Sequence, residues 1–276
     1  MNERLLDFLQ AHRATFVLTG AGISTDSGIG DYRDDVGQWK RRAPVQLDAF
    51  LRSEYARRRY WSRSMVGWPH FAAARPNRAH WALARLRQAG RIGDTVTQNV
   101  DGLHHAAGHP DVIELHGNLS RVDCLKCRGK FDRALIQGWL ESANPDFCAR
   151  TAPLLADGDA DLGAADLDRF IVPACPECGG VLKPGVVFFG ESVPRPVVQQ
   201  AIERLDRASA VLVIGSSLMV YSGYRFCRMA HAQGKPVVAI NRGITRADAL
   251  LAFKVEADCG SALTALGTAL DLCFDA

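Results

Sequence analysis

The feature that most constrains the fold is a set of near-continuous apolar runs, each ending in glycine or small polar residues. The runs are ATFVLTG at 14–20, AVLVIGSS at 210–217 and KPVVAIN at 235–241. Strands that are apolar on both faces are typical of parallel sheets, because helices cover both faces of such sheets. Two further β-rich segments, at 92–99 and 111–117, predict two more strands of the same sheet.

Segments with helical spacing alternate with these strands. The segment 77–90 has an asparagine cap, apolar residues at helical spacing and a terminal glycine. The segment 195–209 places apolar side chains on one face, and the segment 261–274 predicts a closing helix. This alternation predicts an α/β fold with a Rossmann-like, doubly wound parallel sheet.

Two regions interrupt the alternation, and we interpret both as insertions that form a smaller lobe. Residues 34–76 are rich in Arg, Trp and Tyr and predict helices without a strand. Residues 120–185 hold two cysteine pairs around an acidic segment, which lacks the glycine and the glutamate of a calcium loop and is interpreted as a solvated loop. The predicted organisation is a single domain, 1–276, with a Rossmann-like lobe at about 1–33, 77–119 and 186–276 and a small lobe at about 34–76 and 120–185.

The composition predicts an ordinary globular protein. Hydrophobic residues make up 47% of the chain and charged residues 23%, and the net charge of +3 is too small to favour a nucleic-acid partner. No apolar run is long enough to span a membrane. The first residues, MNERLLDFLQ, include acids and lack the apolar core of a signal peptide. We therefore expect a cytoplasmic protein that acts as a monomer.

Four of the eight cysteines form two C-x-x-C pairs, Cys124 with Cys127 and Cys175 with Cys178. Two such pairs can surround one metal ion, and four thiolates complete a tetrahedral zinc site. A site with four protein ligands has no open position, so we expect the zinc to be structural. A redox-active C-x-x-C or a chance spacing remains the alternative.

Glycine and polar residues follow the ends of several predicted strands. The GAG turn at 20–22 allows a phosphate to approach the backbone, but Thr25 stands where the third glycine of a dinucleotide fingerprint belongs. Taken alone, the turn fits a structural role equally well. The carboxyl ends of parallel strands meet in one crevice, so we expect the following residues to converge around one ligand. They are Gln98, Asn99, Asp101 and His116.

Seven motifs, in the order GAGISTDSGIGDYR, TQNVDGLH, ELHG, CLKC with CPEC, VVFFGE, GSSL and NRG, together resemble the sirtuin family of NAD-dependent protein deacylases. The resemblance runs from about residue 14 to residue 270, nearly the whole chain. The segment YWSRSMVGWPHF further resembles the mitochondrial branch associated with lipoamidase and with weak deacetylase or ADP-ribosyltransferase activity. The resemblance implies NAD as a consumed co-substrate, one structural Zn²⁺ and acylated lysine side chains of proteins as substrates.

The resemblance also implies which residues contact NAD. The GAG turn is expected to cradle the pyrophosphate, and the loop after it to cover the nicotinamide ribose. Gly30 stands in this loop where the family usually has proline, and Tyr32 where it has phenylalanine. The implied NAD-binding residues are Gly20, Ala21, Gly22, Ile23, Ser24, Asp31, Tyr32, Arg33, Gln98, Asn99, Val100, Asp101, Gly215, Ser216, Ser217, Asn241, Arg242, Gly243 and Cys259.

Three residues carry the catalytic roles that the resemblance implies. Asn99 and Asp101 resemble the pair that binds the nicotinamide carboxamide, and His116 is expected to be the general base. In the implied reaction the acyl-lysine carbonyl oxygen attacks C1′ of the ribose as nicotinamide leaves. His116 then activates a ribose hydroxyl, which attacks the resulting imidate and gives O-acyl-ADP-ribose and free lysine. A histidine with a near-neutral pKa suits this role.

The substrate is expected to lie along the VVFFGE segment, whose implied contact residues are Val187, Phe188, Phe189, Gly190 and Glu191. An added peptide strand gains affinity from main-chain hydrogen bonds. Tyr60 and Arg63 have the spacing with which desuccinylating sirtuins hold an acidic acyl group, and a guanidinium pairs well with a carboxylate. A solvated basic helix face is the alternative interpretation of Arg63.

Two other functions remain open at this stage. A mono-ADP-ribosyltransferase would use the same NAD site, with a protein side chain intercepting C1′. A non-catalytic NAD-binding sensor or scaffold would keep the fold without turnover. A hydride-transferring dehydrogenase is disfavoured, because the glycine fingerprint is incomplete and no acidic residue follows at the end of a second strand.

Overall fold

The computed structural model describes residues 3–148 and 159–272, except residues 32, 33, 35, 39, 41–43, 161 and 163–166. The strands are β1 Thr15–Thr19, β2 Thr95–Thr97, β3 Ile113–Glu114, β4 Gly117–Cys124, β5 Lys130–Asp132, β6 Leu182–Val186, β7 Ala210–Ile214, β8 Val237–Ile240 and β9 Phe253–Val255. The helices are α1 Glu3–Ala11, α2 Leu47–Arg52, α3 Glu54–Ala73, α4 Arg78–Gln88, α5 Leu103–Ala106, α6 Arg133–Ala143, α7 Pro145–Cys148, α8 Arg195–Arg207, α9 Tyr221–Ala232 and α10 Cys259–Ala269.

Six strands form one parallel sheet in the order β3-β2-β1-β7-β8-β9. Every residue of β1, β7 and β8 is buried, as the apolar runs predict. One face of the sheet packs against α1, α4 and α10, and the opposite face packs against α8 and α9. The predicted Rossmann-like sheet covered on both faces is therefore confirmed. We call this sheet and the helices on its two faces the large lobe.

The five predicted strands are present, each with shorter bounds than predicted, and the segments 92–99 and 111–117 are shortened most. β9 is an additional edge strand that the sequence did not predict, because AFKVE is short and carries two charged residues. The helix α4 begins after Asn77, whose side chain accepts a hydrogen bond from the backbone NH of Ala79 (2.9 Å). The cap that the sequence predicted is thus confirmed.

A second, antiparallel sheet has the order β5-β4-β6. Its apolar side chains share a core with α2, α3 and α6, in which Trp61, Phe50 and Phe170 are fully buried. We call this sheet and these helices the small lobe. No helix among the described residues is long and apolar enough to cross a membrane.

Candidate active site

The ends of β1 and β7 pack so closely that their backbones touch. The backbone NH of Gly22 donates to the carbonyl of Gly215 (2.8 Å). A Cβ atom on Gly22 would lie 2.9 Å from the Cα of Gly215, and one on Gly20 would lie 2.6 Å from the Cβ of Ser216. Side chains at these two positions would force the strand ends apart. The glycines thus join the GAG turn and the GSS loop into one bare backbone wall, a surface that a pyrophosphate can approach.

A compact polar corner lies beside this wall. The side-chain amide of Asn99 donates to the Gly20 carbonyl and to the Ser24 hydroxyl, both at 3.1 Å. Ser24 in turn donates to Asp101 Oδ2 (2.7 Å), and the backbone NH of Leu103 donates to Asp101 Oδ1 (2.9 Å). Burial raises the pKa of Asp101 despite these hydrogen bonds. The corner therefore presents a fixed set of donors and acceptors, suited to a neutral carboxamide.

His80 also contacts the polar corner, through the hydroxyl of Ser24, and the sequence did not single it out. Its Nδ1 accepts from the backbone NH of Asn77 (3.3 Å), so its Nε2 carries the proton that points to Ser24 Oγ (3.4 Å). Burial lowers the pKa of His80 to about 4, which keeps the ring neutral. The signal was available: a histidine occupies the third helical position of α4, where a capping box usually has Glu or Gln.

His116 lies at the end of β3 with both ring nitrogens hydrogen-bonded. Nδ1 is 2.9 Å from the carbonyl oxygen of Gln98, and because that oxygen can only accept, Nδ1 carries the proton. Nε2 therefore carries the lone pair of the ring, which accepts a hydrogen bond from the hydroxyl of Ser222 at 2.8 Å. Burial, with a smaller contribution from Arg225, lowers the pKa of His116 below the near-neutral value expected from sequence. The neutral ring is suited to act as a base.

One large cavity, of about 1290 Å³, joins the backbone wall, the polar corner and His116. The cavity is lined by most of the residues singled out from the sequence: Gly20, Ala21, Gly22, Ser24, Asp31, Tyr60, Gln98, Asn99, Val100, Asp101, His116, Val187, Phe188, Phe189, Gly190, Glu191, Gly215, Ser216, Ser217, Asn241, Arg242 and Cys259. Burial raises the pKa of Cys259 to about 12, so its thiol stays protonated and offers no nucleophile.

Some residues singled out from the sequence lie elsewhere. Ile23 is buried in the core of the large lobe rather than on the cavity wall, and Gly243 does not line the cavity. Tyr32 and Arg33 fall outside the described residues.

The structure does not bring Tyr60 and Arg63 together around one ligand. Tyr60 reaches the cavity and packs its ring against Phe188, with centroids 5.2 Å apart. Arg63 is not among the lining residues, and its Nε donates to the carbonyl of Ala160 (3.0 Å). The guanidinium groups that do line the cavity include those of Arg195 and Arg225. Arg63 lies away from the cavity because α3 directs its side chain to Ala160. This contact joins residues far apart in the chain, so no local sequence pattern predicts it.

The segment Val187–Glu191 is tied to both lobes. The backbone NH of Val187 donates to the carbonyl of His116 (2.8 Å), and the carbonyl of Phe189 accepts from the backbone NH of Leu47 (2.9 Å). Glu191 Oε2 accepts from the backbone NH of Phe188 (2.8 Å) and pairs with the buried Lys183 (3.0 Å). An extended segment fixed in this way beside His116 is of the kind to which a peptide can add as a strand.

The four paired cysteines come together at one end of the small lobe. Their sulfur atoms all lie within 4.8 Å of one another, with 3.5 Å between those of Cys124 and Cys178 and 3.7 Å between those of Cys127 and Cys175. Tetrahedral zinc with bonds of about 2.3 Å needs sulfur atoms about 3.8 Å apart. A Cβ atom on Gly180 would lie 2.9 Å from the Cys124 sulfur, so glycine leaves room for the cluster. The residues thus fit a structural zinc ion.

Fold and cavity together define a Rossmann-type nucleotide-binding protein with a zinc-binding small lobe. The Sir2 family model matches residues 20–222, and the chain therefore belongs to the Sir2 family, the sirtuins.

Similar proteins and structures agree with this membership. A Bordetella bronchiseptica protein named NAD-dependent protein deacetylase is 56% identical, over 95% of each chain. The Drosophila melanogaster NAD-dependent protein deacylase Sirt4 is 45% identical, over 96% of this chain and 86% of that protein. Among solved structures, Sir2 with a p53 peptide and NAD+ has a TM-score of 0.77 at 31% identity, covering 98% of this chain and 99% of the other. Sir2Tm bound to a propionylated peptide also has a TM-score of 0.77 at 31% identity, covering 99% and 100%.

Proposed function

We propose that this protein is an NAD-dependent protein-lysine deacylase, which releases nicotinamide, O-acyl-ADP-ribose and free lysine. The observation that carries the proposal is the neutral His116, whose proton is held on Nδ1 by the Gln98 carbonyl and which lines a cavity that also contains the polar corner of Asn99 and Asp101. Relatives named deacetylase or deacylase over nearly the whole chain support it, as do solved structures of relatives with NAD+ and acylated peptides.

Each part of the cavity has a separate task in this reaction. NAD supplies a ribose whose bond to nicotinamide breaks when the acyl oxygen attacks C1′. The polar corner of Asn99, Ser24 and Asp101 binds the carboxamide, and the backbone wall at Gly22 and Gly215 holds the phosphates. His116 takes the proton from a ribose hydroxyl onto Nε2, while the Gln98 carbonyl holds Nδ1–H and so fixes the tautomer.

The substrate class is acylated lysine, presented by an extended peptide along Val187–Glu191. Because an added peptide strand gains its affinity from main-chain hydrogen bonds, we expect loose sequence selectivity. An acidic acyl pocket built on Tyr60 and Arg63 gains no support, since Arg63 donates to Ala160 and does not line the cavity. We therefore place neutral acyl groups, acetyl and propionyl, first among the substrates.

The remaining parts of the proposal concern the organisation of the chain. We divide it into a Rossmann-like lobe at about 1–33, 77–119 and 186–276 and a small lobe at about 34–76 and 120–185, supported by their separate hydrophobic cores. Zinc is structural and one per chain, because four sulfur ligands leave no open position. We further propose that the protein acts as a monomer and works in the cytoplasm, where thiols stay reduced.

The test incubates the protein with NAD and with a panel of lysine peptides that carry acetyl, propionyl, succinyl, lipoyl and long-chain acyl groups. Mass spectrometry measures the free peptide and O-acyl-ADP-ribose together. We expect turnover by the wild type, and a loss of about 10²-fold or more in His116→Ala, the range for removal of a general base. His231→Ala, at the exposed far end of α9, is the matched control.

Two outcomes would contradict the proposal. Full turnover by His116→Ala would remove His116 from the mechanism. Labelled ADP-ribose transferred to protein without O-acyl-ADP-ribose would favour the mono-ADP-ribosyltransferase instead, and NAD binding without either product would favour a sensor or scaffold.

A further inference from the structure

The first turn of α9 approaches His116 from the side opposite to Gln98. Ser222, the second residue of this helix, places its hydroxyl oxygen 2.8 Å from His116 Nε2. Because Nδ1 carries the proton for the Gln98 carbonyl, the Ser222 hydroxyl must donate to the Nε2 lone pair. The imidazole is therefore held at both nitrogens, once by main chain and once by a side chain.

The two supports of the ring are packed against each other. A Cβ atom on Gly223 would lie 2.3 Å from the side-chain oxygen of Gln98, so the glycine lets this end of α9 pack directly against the Gln98 side chain. The Gln98 side chain is itself fixed by a hydrogen bond to the Ser216 hydroxyl (2.8 Å). Ser222 thus reaches His116 from a helix end that packs on the side chain of Gln98. The contact is a built feature of the fold rather than a chance approach of two surface groups.

A hydroxyl suits both protonation states of the base. Toward neutral His116, Ser222 acts as a donor and occupies the Nε2 lone pair. For a ribose hydroxyl to give its proton to Nε2, the Ser222 hydroxyl first rotates its O–H away from the Nε2 lone pair. The ribose oxygen then keeps the electron pair, Nε2–H becomes a donor, and the Ser222 oxygen accepts from it with its own lone pairs. Arg225, one turn further along α9, is a cation that disfavours the protonated ring, which makes an acceptor at Ser222 more valuable.

We propose that Ser222 is a positioning residue for His116, which orients the imidazole and stabilises its protonated form during deacylation. This inference rests on the proposed function. It concerns the step after nicotinamide release, because His116 takes no proton before that step. Ser222 should therefore affect deacylation and leave the release of nicotinamide unchanged.

The first experiment compares Ser222→Ala with the wild type in two assays that use NAD and the acyl peptide that the wild type turns over fastest. Incorporation of labelled nicotinamide into NAD reports the first step, and formation of O-acyl-ADP-ribose reports the whole reaction. We expect nicotinamide exchange to stay within about twofold and the kcat of deacylation to fall about tenfold, the scale of one hydrogen bond to a charged group. Ser209→Ala, an exposed serine outside the cavity, is the matched control.

An equal loss in both assays would assign Ser222 a structural role, and unchanged deacylation would assign it none. Either result would overturn the proposal.

The second experiment needs no turnover and separates this proposal from the proposed function. Nitrogen NMR of protein labelled in histidine reads the state of His116 Nε2, with the resonance assigned by its absence in His116→Ala. We expect the Nε2 signal to move toward that of a non-bonded imidazole nitrogen in Ser222→Ala and to stay unchanged in Ser209→Ala. An unchanged signal in Ser222→Ala overturns the proposal even if deacylation is slowed. A wild type that turns over no acyl peptide but shows the shift would refute the deacylase function and leave the hydrogen bond established.

Discussion

The cores of the two lobes are built from different kinds of residue. In the large lobe, β1, β7 and β8 bury every residue, and the side chains that fill both faces of the sheet are almost all aliphatic. In the small lobe, the guanidinium of Arg133 is buried between Trp61 and Trp68, at 5.4 and 4.7 Å from the ring centroids. Four cysteines complete this lobe.

The difference shows that the two lobes are stabilised by different forces. Burial of aliphatic area is non-directional, so the large lobe depends on volume and close packing. The small lobe adds directed bonds to its apolar core: Arg133 donates to Gln137 (2.8 Å) and to the Ser64 carbonyl (3.2 Å), and the four cysteines can bind a metal ion. Burial lowers the pKa of Arg133 to about 10, which leaves it charged at neutral pH. Different treatments should therefore unfold the two lobes.

Removal of zinc is expected to have the largest effect, confined to the small lobe. Cys175→Ser should lose the metal and with it a contribution on the order of 10 kcal/mol to the folding of that lobe. Hydrogen exchange should then show lost protection in β5 and α6 while β1 and β7 keep theirs. Cys148→Ser, an exposed cysteine outside the cluster, is the matched control. Equal loss of protection in β7 and α6 would show that the lobes are not stabilised separately.

A cavity in the large lobe should have the next largest effect. Leu212, in the centre of β7, is fully buried, and Leu212→Ala should lower the free energy of unfolding by about 2–5 kcal/mol. Leu135, which is 48% exposed on α6, gives the matched control Leu135→Ala with an effect below about 0.5 kcal/mol. Urea denaturation and zinc analysis are the measurements. If Leu212→Ala releases zinc under conditions where the protein is still folded, the two lobes are not stabilised separately.

Mild acid should weaken the large lobe through its buried histidines. Burial lowers the pKa of His80 to about 4, and it also lowers that of His104. Below pH 6.5 the unfolded chain binds a proton at each ring and the folded chain does not. Stability therefore falls as the pH falls from 6.5 toward the folded pKa, by about 1.4 kcal/mol for His80 alone between pH 7.5 and pH 5.5.

The variant His80→Gln isolates this contribution, because glutamine does not titrate. Urea denaturation at pH 7.5 and pH 5.5 should show a loss in the variant that is smaller than that of the wild type by about 1.4 kcal/mol. Both proteins carry the same four cysteines, so any acid release of zinc affects them alike. Identical losses in the two proteins would mean that His80 is not buried as a neutral ring.

The sequence predicted those parts of the fold that local patterns determine. The apolar runs of β1, β7 and β8 and the capped helix α4 were read correctly, since each is specified by residues next to it in the chain. The strand β9 was missed because its charged residues reflect an edge position, which only the assembled sheet defines. The paired cysteines predicted a metal cluster because metal coordination requires that spacing.

The sequence predicted which residues share one cavity where each follows the end of its own strand. His116, Asn99 and Asp101 follow strands and line one cavity, as parallel strands require. Ser222 and His80 were missed, because each acts on a residue more than fifty positions away and neither belongs to a motif that was singled out. Arg63 was misplaced for the same reason: its partner, Ala160, is distant in sequence, and helical spacing does not tell which face α3 turns to the cavity.

The connection between His116 and β4 has a mechanical consequence. Gly117 pairs with Val186 at a positive φ of 80°, and a Cβ atom there would lie 2.2 Å from the Gly185 carbonyl oxygen. The chain thus leaves the large lobe after His116 and returns to it at Val187. These two points are adjacent, because the backbone NH of Val187 donates to the carbonyl of His116. If the lobes rotate relative to each other about this pivot, the displacement of atoms is smallest at the pivot and grows with distance from it. An opening of the cleft between the lobes would therefore change the spacing of its rim most and leave His116 and Val187 in contact.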